Sequence, residues 1–242
     1  MIYHQELIKI IQQELYTDDA VLALVLCGSV ARREETSNSD IDLLVINNKS
    51  FYQVRQTVRN GITVEFIEIP LKRLKDTGLV KESVTLHMLA DGIILFDKIS
   101  EIEELTVKAK NIVKEGPPTP PTHKDEQWVL RKRREITEIY QDLIDIDDEI
   151  TFNYITSLLI STAIQLLFEN NNWWFKNKKK TLNYIKEQCF EEYKNIEILL
   201  NAKNSLAERR KAATHFVETV LKPHGGIIEG DMVLIKFDII SC

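Results

Sequence analysis

Residues 27–42 read CGSVARREETSNSDID and directly follow the apolar run VLALVL at residues 21–26. The run predicts a buried strand, and the glycine and serine after it predict a turn into a short helical segment. A second strand, IDLLVI, begins between the two aspartates, Asp40 and Asp42. Residues i and i+2 of a strand point to one face, with Cα atoms roughly 6–7 Å apart. We therefore expect two neighbouring carboxylates close to the glycine-serine turn.

A cation is the simplest reason to hold two carboxylates together. Carboxylates this close repel each other unless positive charge lies between them, and Mg²⁺ prefers oxygen ligands. A third acid, Glu65, lies inside the predicted strand ITVEFIEI, where charge is costly unless it is paired or bound to metal. Three such carboxylates can hold two ions ~3.5–4 Å apart, an arrangement that supports in-line displacement at phosphorus.

The glycine-serine turn is suited to phosphate. Gly28 lets the backbone approach a ligand closely, and backbone N–H groups together with the Ser29 hydroxyl can bind phosphate oxygens. Arg32 or Arg33 can add positive charge there. A glycine-serine pair is commonly only a turn, and an aspartate pair can be a solvated strand start. The joint pattern of turn, spacer, aspartate pair and third acid has few accidental matches, and it favours a combined metal and phosphate site.

The stretch GSVARREETSNSDIDLLV, residues 28–45, resembles the signature of the polymerase β-like nucleotidyltransferase superfamily: glycine-serine, a spacer, then an acidic-x-acidic pair. The resemblance implies transfer of a nucleoside monophosphate from a nucleoside triphosphate such as ATP to a hydroxyl, releasing pyrophosphate, with two Mg²⁺ ions when nucleotide is bound. It implies metal-binding, catalytic carboxylates at Asp40, Asp42 and Glu65. It implies nucleotide binding by Gly28, Ser29, Arg32 and Ser39. Arg33 stands where the family's frequent ARGE stretch has glycine.

The composition is that of a folded, acidic protein. With 242 residues, 44% of them hydrophobic, the chain can bury one large core or two modest ones, and its net charge is -6. No apolar run approaches the ~20 residues of a membrane helix, and the N-terminus lacks a secretory signal pattern. Three widely spaced cysteines favour neither disulfides nor a zinc site. We therefore expect a cytoplasmic protein with no membrane span.

A proline-rich segment divides the pattern. Four of the six prolines lie in EGPPTPPTHKD, residues 115–125. The sequence predicts an α/β (α+β) nucleotidyltransferase catalytic domain with a mixed sheet over 1–116, a linker over 117–125, and an all-α helical bundle that binds substrate over 126–242. In the first domain, helices are predicted at 5–15 and 51–59, and strands at 21–26, 41–46, 62–69 and 92–96. In the second, helices are predicted at 126–150, 151–169, 179–189 and 196–221, with a short strand at 231–240.

Acidic residues recur along the first helix of the second half, at Glu135, Glu138, Asp142, Asp145 and Glu149. These residues can form a solvated face whose negative charge is neutralised by nearby basic side chains. Alternatively, they bind a cationic acceptor, and one carboxylate acts as general base. Asp142 and Asp145 are the candidates for that base. Aminoglycoside-modifying (kanamycin-type) nucleotidyltransferases, an antibiotic-resistance branch, have a similar plan of catalytic α/β half, helical half and acidic acceptor site. The resemblance implies a small hydroxylated acceptor, of which an aminoglycoside-like antibiotic is one candidate.

Other acceptors and a non-enzymatic role stay open. The same chemistry can modify a protein or tRNA, although the acidic chain shows no broad basic stripe, which disfavours nucleic acid. The chain can also be an antitoxin-like nucleotide-binding module without turnover, although that role gives no reason to keep three costly carboxylates. The sequence is compatible with a homodimer.

Overall fold

The computed structural model describes residues 2–77, 79, 83–118 and 126–229. The chain divides into two compact units, Met1–Gly116 and Pro117–Cys242. Residues 119–125 of the proline-rich segment and the strand predicted over 231–240 lie outside the described residues.

A five-stranded mixed sheet forms the centre of the first unit. Its strands are β1 (Val21–Cys27), β2 (Ile41–Asn47), β3 (Gln53–Arg59), β4 (Ile62–Pro70) and β5 (Ile93–Asp97). They are arranged in the order β3-β4-β2-β1-β5, in which β2 and β4 are parallel and the other neighbours are antiparallel. Because β1, β2 and β4 are internal strands, their side chains form continuous buried runs.

The helices of the first unit are α1 (Ile2–Tyr16), α2 (Gly28–Ala31), α3 (Leu71–Thr77), α4 (Ser83–Asp91) and α5 (Ile102–Glu115). Helix α1 packs against the sheet face that carries Leu43 and Phe66. The opposite face carries Leu44 and Ile67, which are buried, and then Asp42 and Glu65, which are only partly buried. On this face of β2 and β4, the acidic residue therefore lies two positions before a buried apolar residue.

The helix predicted over 51–59 is wrong, because residues Gln53–Arg59 form strand β3. Val54 and Val58 are four residues apart, a spacing that fits one face of a helix and also one face of a strand. The following turn decides between them. Asn60 and Gly61 both have positive φ, 51° and 77°, as in the two-residue turns that join antiparallel strands. β3 then pairs with β4 along its length.

The described part of the second unit consists of helices and the loops that join them. Its helices are α6 (Glu126–Asp145), α7 (Glu149–Asn170), α8 (Thr181–Gln188), α9 (Phe190–Leu200) and α10 (Leu206–Leu221). Their core is one apolar cluster centred on α7 and α10, with Phe152, Leu159, Leu166, Phe168, Phe216 and Val220 among its buried members. The mixed sheet followed by a helical region confirms the predicted fold class.

Two predicted helix limits in this unit are wrong. The helix predicted over 126–150 ends at Asp145, and Asp148 begins the next by accepting a hydrogen bond from the Thr151 N–H at 2.7 Å. The helix predicted over 196–221 is two helices, α9 and α10. Ser205 starts α10 through a capping box with Glu208, in which each side chain binds the other residue's backbone N–H.

Helix α7 is long and mostly apolar. By length and composition it is the one helix of the described residues that could cross a membrane. Eight of its residues are buried inside the unit, among them Phe152, Leu159 and Phe168. The core helix of a helical bundle can have the same length and composition.

Candidate metal and nucleotide site

Three acidic side chains meet at one edge of the sheet. Asp42 of β2 and Glu65 of β4 are paired across the two parallel strands, and Asp40 lies two residues before Asp42. One carboxylate oxygen from each residue lies within 4.8 Å of the others. Asp40 is exposed, whereas Asp42 and Glu65 are partly buried. The structure thus brings together the three predicted metal ligands, which are called the acidic triad below.

The acidic triad is electrostatically costly for Asp42. Burial, together with the neighbouring Asp40 and Glu65 carboxylates, raises the pKa of Asp42 from 3.8 to about 6, although Arg32 acts in the opposite direction. A charged carboxylate is therefore poorly stabilised here by the protein alone. A divalent cation would relieve both the burial cost and the repulsion, and its preferred ligands are carboxylate oxygens. The donor set of the triad fits Mg²⁺.

Gly28 faces the acidic triad from the end of β1, where Cys27 is paired with Asp42 of β2. A Cβ atom at position 28 would overlap the Asp42 carboxylate and lie 2.8 Å from its Cγ. The φ angle of Gly28 is +69°, in the left-handed region that other residues rarely adopt. Both space and backbone conformation therefore require glycine at this position.

Ser29 is the second residue of α2, the short helix that follows β1. The N-cap residue of α2, Cys27, makes no side-chain hydrogen bond to it. The first N–H groups of a helix have no partners inside the helix, so they can donate to an anion. Ser29 is partly exposed, and its carbonyl accepts a hydrogen bond from the Glu34 N–H at 2.9 Å. The local structure agrees with a phosphate-binding turn next to the triad.

Arg33 adopts the conformation for which glycine is favoured. Its φ angle is +59°, so this arginine lies in the left-handed region. Glycine occupies the matching position of the ARGE stretch noted above, and a positive φ is a physical reason for it. An arginine in this conformation costs about 1 kcal/mol relative to glycine.

The other two predicted nucleotide-binding residues differ in their surroundings. Arg32 pairs with Glu34 at 2.9 Å and is close enough to lower the pKa of Asp42, so it lies at the site. Ser39 instead closes a turn: its Oγ accepts a hydrogen bond from the Thr36 N–H at 2.9 Å, and its own N–H donates to the Thr36 carbonyl at 3.1 Å. Its side chain therefore has a local structural role.

The acidic residues predicted to form one stripe are divided between two helices, because α6 ends at Asp145 and Glu149 starts α7. Glu135 pairs with Lys132 at 2.8 Å, and Glu138 pairs with Arg134 at 2.6 Å. These pairs favour a solvated face for the first part of the stripe. The proposed bases, Asp142 and Asp145, are exposed near the end of α6.

Two residues beside the triad had no signal in the sequence. His4 of α1 contacts the carbonyl of Ser39, the residue before Asp40, at 2.9 Å. Gln56 of β3 is paired with Glu65, on the same face of the sheet. The contact of His4 joins residues 35 apart in the chain, and Gln56 lies in a segment for which the sequence predicts a helix.

The part of the chain that carries the triad is similar to a known family. Residues 7–101 match the family model "Polymerase beta, Nucleotidyltransferase". The matched residues include Gly28, Ser29 and the whole acidic triad. The first unit thus contains a nucleotidyltransferase-type domain, which supports a general nucleotidyl-transfer activity; the family also includes members that are not enzymes.

Other comparisons add less. A solved structure of a nucleotidyltransferase-like protein from Exiguobacterium sibiricum 255-15 is similar, with 15% sequence identity and a TM-score of 0.45. The similarity covers 89% of this chain and 73% of that one. The comparison with curated proteins found no similar sequence.

Proposed function

We propose that this protein is a Mg²⁺-dependent nucleotidyltransferase that transfers a nucleoside monophosphate from a nucleoside triphosphate to a hydroxyl group of a small molecule. The observation that carries the proposal is the acidic triad, whose carboxylate oxygens lie within 4.8 Å of one another beside Gly28, where a Cβ atom would overlap the Asp42 carboxylate. A purely structural role gives no reason to gather three negative charges at the edge of a sheet.

In the proposed reaction, the acceptor hydroxyl oxygen forms a bond to the α-phosphorus. The bond from that phosphorus to the α,β-bridging oxygen breaks, and pyrophosphate leaves with the electron pair. The hydroxyl proton passes to a carboxylate base. The N–H groups at the start of α2 and the Ser29 hydroxyl hold the triphosphate, and the positively charged Arg32 lies close to the same group of residues.

Asp40, Asp42 and Glu65 would hold the metal ions. When bound, Mg²⁺ neutralises charge on the triphosphate and makes the α-phosphate reactive toward the acceptor oxygen. The three side chains supply the negative charge and the oxygen ligands for this role.

The proposed acceptor is a cationic small molecule with hydroxyl groups, of which an aminoglycoside-like antibiotic is an example. Support comes from α6, where Asp142 and Asp145 are exposed and carry negative charge. Either carboxylate can attract a cationic acceptor. Neutral variants, Asp142→Asn and Asp145→Asn, test this part separately, because they should raise KM for a cationic acceptor and leave triphosphate binding unchanged.

Release of pyrophosphate tests the proposed chemistry. The unaltered protein is incubated with Mg²⁺, with ATP, GTP or CTP, and with sets of aminoglycoside, protein and tRNA acceptors. We expect turnover with a small cationic acceptor, loss of at least ~100-fold of the activity in Asp42→Asn, and normal activity in Glu103→Gln, an exposed acid of α5. Full activity of Asp42→Asn would contradict the reaction, and triphosphate binding without turnover would favour a binding module.

A further inference from the structure

Asp40 is held in place by fewer contacts of the sheet than the other two members of the acidic triad. It lies just before the first residue of β2, so the hydrogen bonds of the sheet do not include it, and its side chain is exposed. Asp42 and Glu65, in contrast, lie inside paired strands. The position of the Asp40 carboxylate therefore depends on the loop that leads into β2.

That loop is fixed at Ser39 through three polar groups. The Ser39 N–H donates to the Thr36 carbonyl, and the Ser39 Oγ accepts from the Thr36 N–H, so these two contacts close a local turn. The third group, the Ser39 carbonyl, accepts a hydrogen bond from His4 Nε2 at 2.9 Å. Of these three contacts, the third ties the loop to another part of the fold, because His4 belongs to α1.

Burying His4 costs free energy, because one of its polar atoms is buried without a hydrogen-bonding partner among the described residues. Only 3% of its surface is exposed. A carbonyl oxygen can only accept, so Nε2 carries the hydrogen. Nδ1 is buried and has no hydrogen-bonding partner in the described part of the chain. A leucine would fill this place without an unpaired polar atom, so the gain from histidine is its bond to Ser39.

We propose that His4 is a positioning residue for the metal ligand Asp40. By holding the Ser39 carbonyl, it fixes the backbone one residue before Asp40 and keeps that carboxylate within reach of Asp42 and Glu65. Groups that orient a metal ligand typically change metal affinity by about 10–100-fold when they are removed. The inference rests on the proposed function, because it assumes that the triad binds a divalent cation.

Gln12 provides a matched control on the same helix. Its Nε2 donates to the carbonyl of Leu95 in β5 at 2.9 Å. Gln12 and His4 thus each tie α1 to a backbone carbonyl of the first unit, and only His4 does so next to the triad. A variant of either residue loses one such bond, so any general effect of loosening α1 appears in both.

The test is to titrate the metal-free protein with Mn²⁺ and to measure Mn²⁺ binding by electron paramagnetic resonance. This measurement requires neither nucleotide nor turnover. The proteins are the unaltered chain, His4→Leu, His4→Met, His4→Gln and Gln12→Leu. We expect His4→Leu and His4→Met to bind Mn²⁺ about 10-fold more weakly. Gln12→Leu should match the unaltered chain within about 2-fold, and His4→Gln, which keeps a donor, should recover most of the affinity.

Equal Mn²⁺ affinity in His4→Leu and Gln12→Leu would overturn this inference and leave the proposed function standing. Absence of Mn²⁺ binding by the unaltered chain would overturn both. Circular dichroism establishes that each variant is folded. Failure of both apolar His4 variants to fold would also overturn the assignment, because a positioning role predicts a folded protein with weakened metal binding.

Discussion

Replacing Asp42 with asparagine should stabilise the metal-free protein while it removes the metal site. In the folded chain, burial and the neighbouring Asp40 and Glu65 raise the pKa of Asp42 from 3.8 to about 6. The folded state therefore holds the Asp42 proton more tightly than the unfolded chain does. Stability accordingly falls as pH rises from about 4 to about 6, and above that range the charged carboxylate costs its full amount.

The magnitude follows from the change in pKa. Each pKa unit corresponds to ~1.4 kcal/mol, so the rise of the Asp42 pKa from 3.8 to about 6 corresponds to a loss of at most about 3 kcal/mol in the free energy of unfolding. Asp42 is only partly buried, and solvent screening reduces this to about 1–2 kcal/mol. Asparagine has nearly the same shape and no charge. Asp42→Asn should therefore be more stable than the unaltered chain by about 1–2 kcal/mol at pH 7.5, and the difference should shrink toward zero near pH 4.

Urea unfolding in the presence of a chelator, at pH 4, 5, 6 and 7.5, measures this difference. A second series with Mg²⁺ at pH 7.5 should stabilise the unaltered chain and leave Asp42→Asn unchanged, because only the former keeps the complete triad. Glu103→Gln is the control for removing an exposed negative charge of the same unit. A lower stability of Asp42→Asn at pH 7.5, or a difference that does not depend on pH, would refute the reasoning.

Three further substitutions test particular contacts by urea unfolding. Gly28→Ala should lower stability by at least ~1–2 kcal/mol and abolish Mn²⁺ binding, since its Cβ overlaps Asp42 at a positive φ; wild-type stability and metal affinity would contradict this. Arg33→Gly should keep stability or raise it by up to ~1 kcal/mol, whereas a clear loss would show that the arginine side chain is needed. Arg209→Lys should cost about 1–3 kcal/mol, because lysine cannot replace the bonds to both the Leu199 carbonyl and the Asn153 side chain, and an unchanged stability would count against that network.

The sequence predicted the parts of the site that depend on local rules. Because side chains alternate along a strand, Asp40 and Asp42 are predicted to lie on one face. Glu65 is a charged residue inside an apolar strand, and this position predicts that it is paired or bound to metal. The need for a glycine at position 28 also has a local sign, since it follows a buried strand directly. These signals need no knowledge of distant contacts.

Segments that fit two patterns were predicted less well. Val54 and Val58 satisfy the spacing of a helix as well as that of a strand, and the pairing of β3 with β4 decides the outcome. Between α9 and α10, residues 201–205 interrupt a continuous helical pattern at a capping box. Its Ser205 and Glu208 are a sequence signal that could have located this break.

Contacts between distant residues had no sequence signal. The hydrogen bond from His4 to Ser39 joins residues 35 positions apart, and it depends on the packing of α1 against the sheet. Ser39 itself belongs to the aspartate motif, yet its hydroxyl is used within the Thr36 turn. A motif therefore located the site, while the role of each polar atom depended on the folded backbone.

The most direct test of the account is a crystal structure with Mg²⁺ and a non-hydrolysable nucleoside triphosphate. The account predicts metal ions bound by Asp40, Asp42 and Glu65, with the triphosphate at Gly28 and Ser29. A triphosphate bound elsewhere, or metal ions that do not contact the acidic triad, would contradict it.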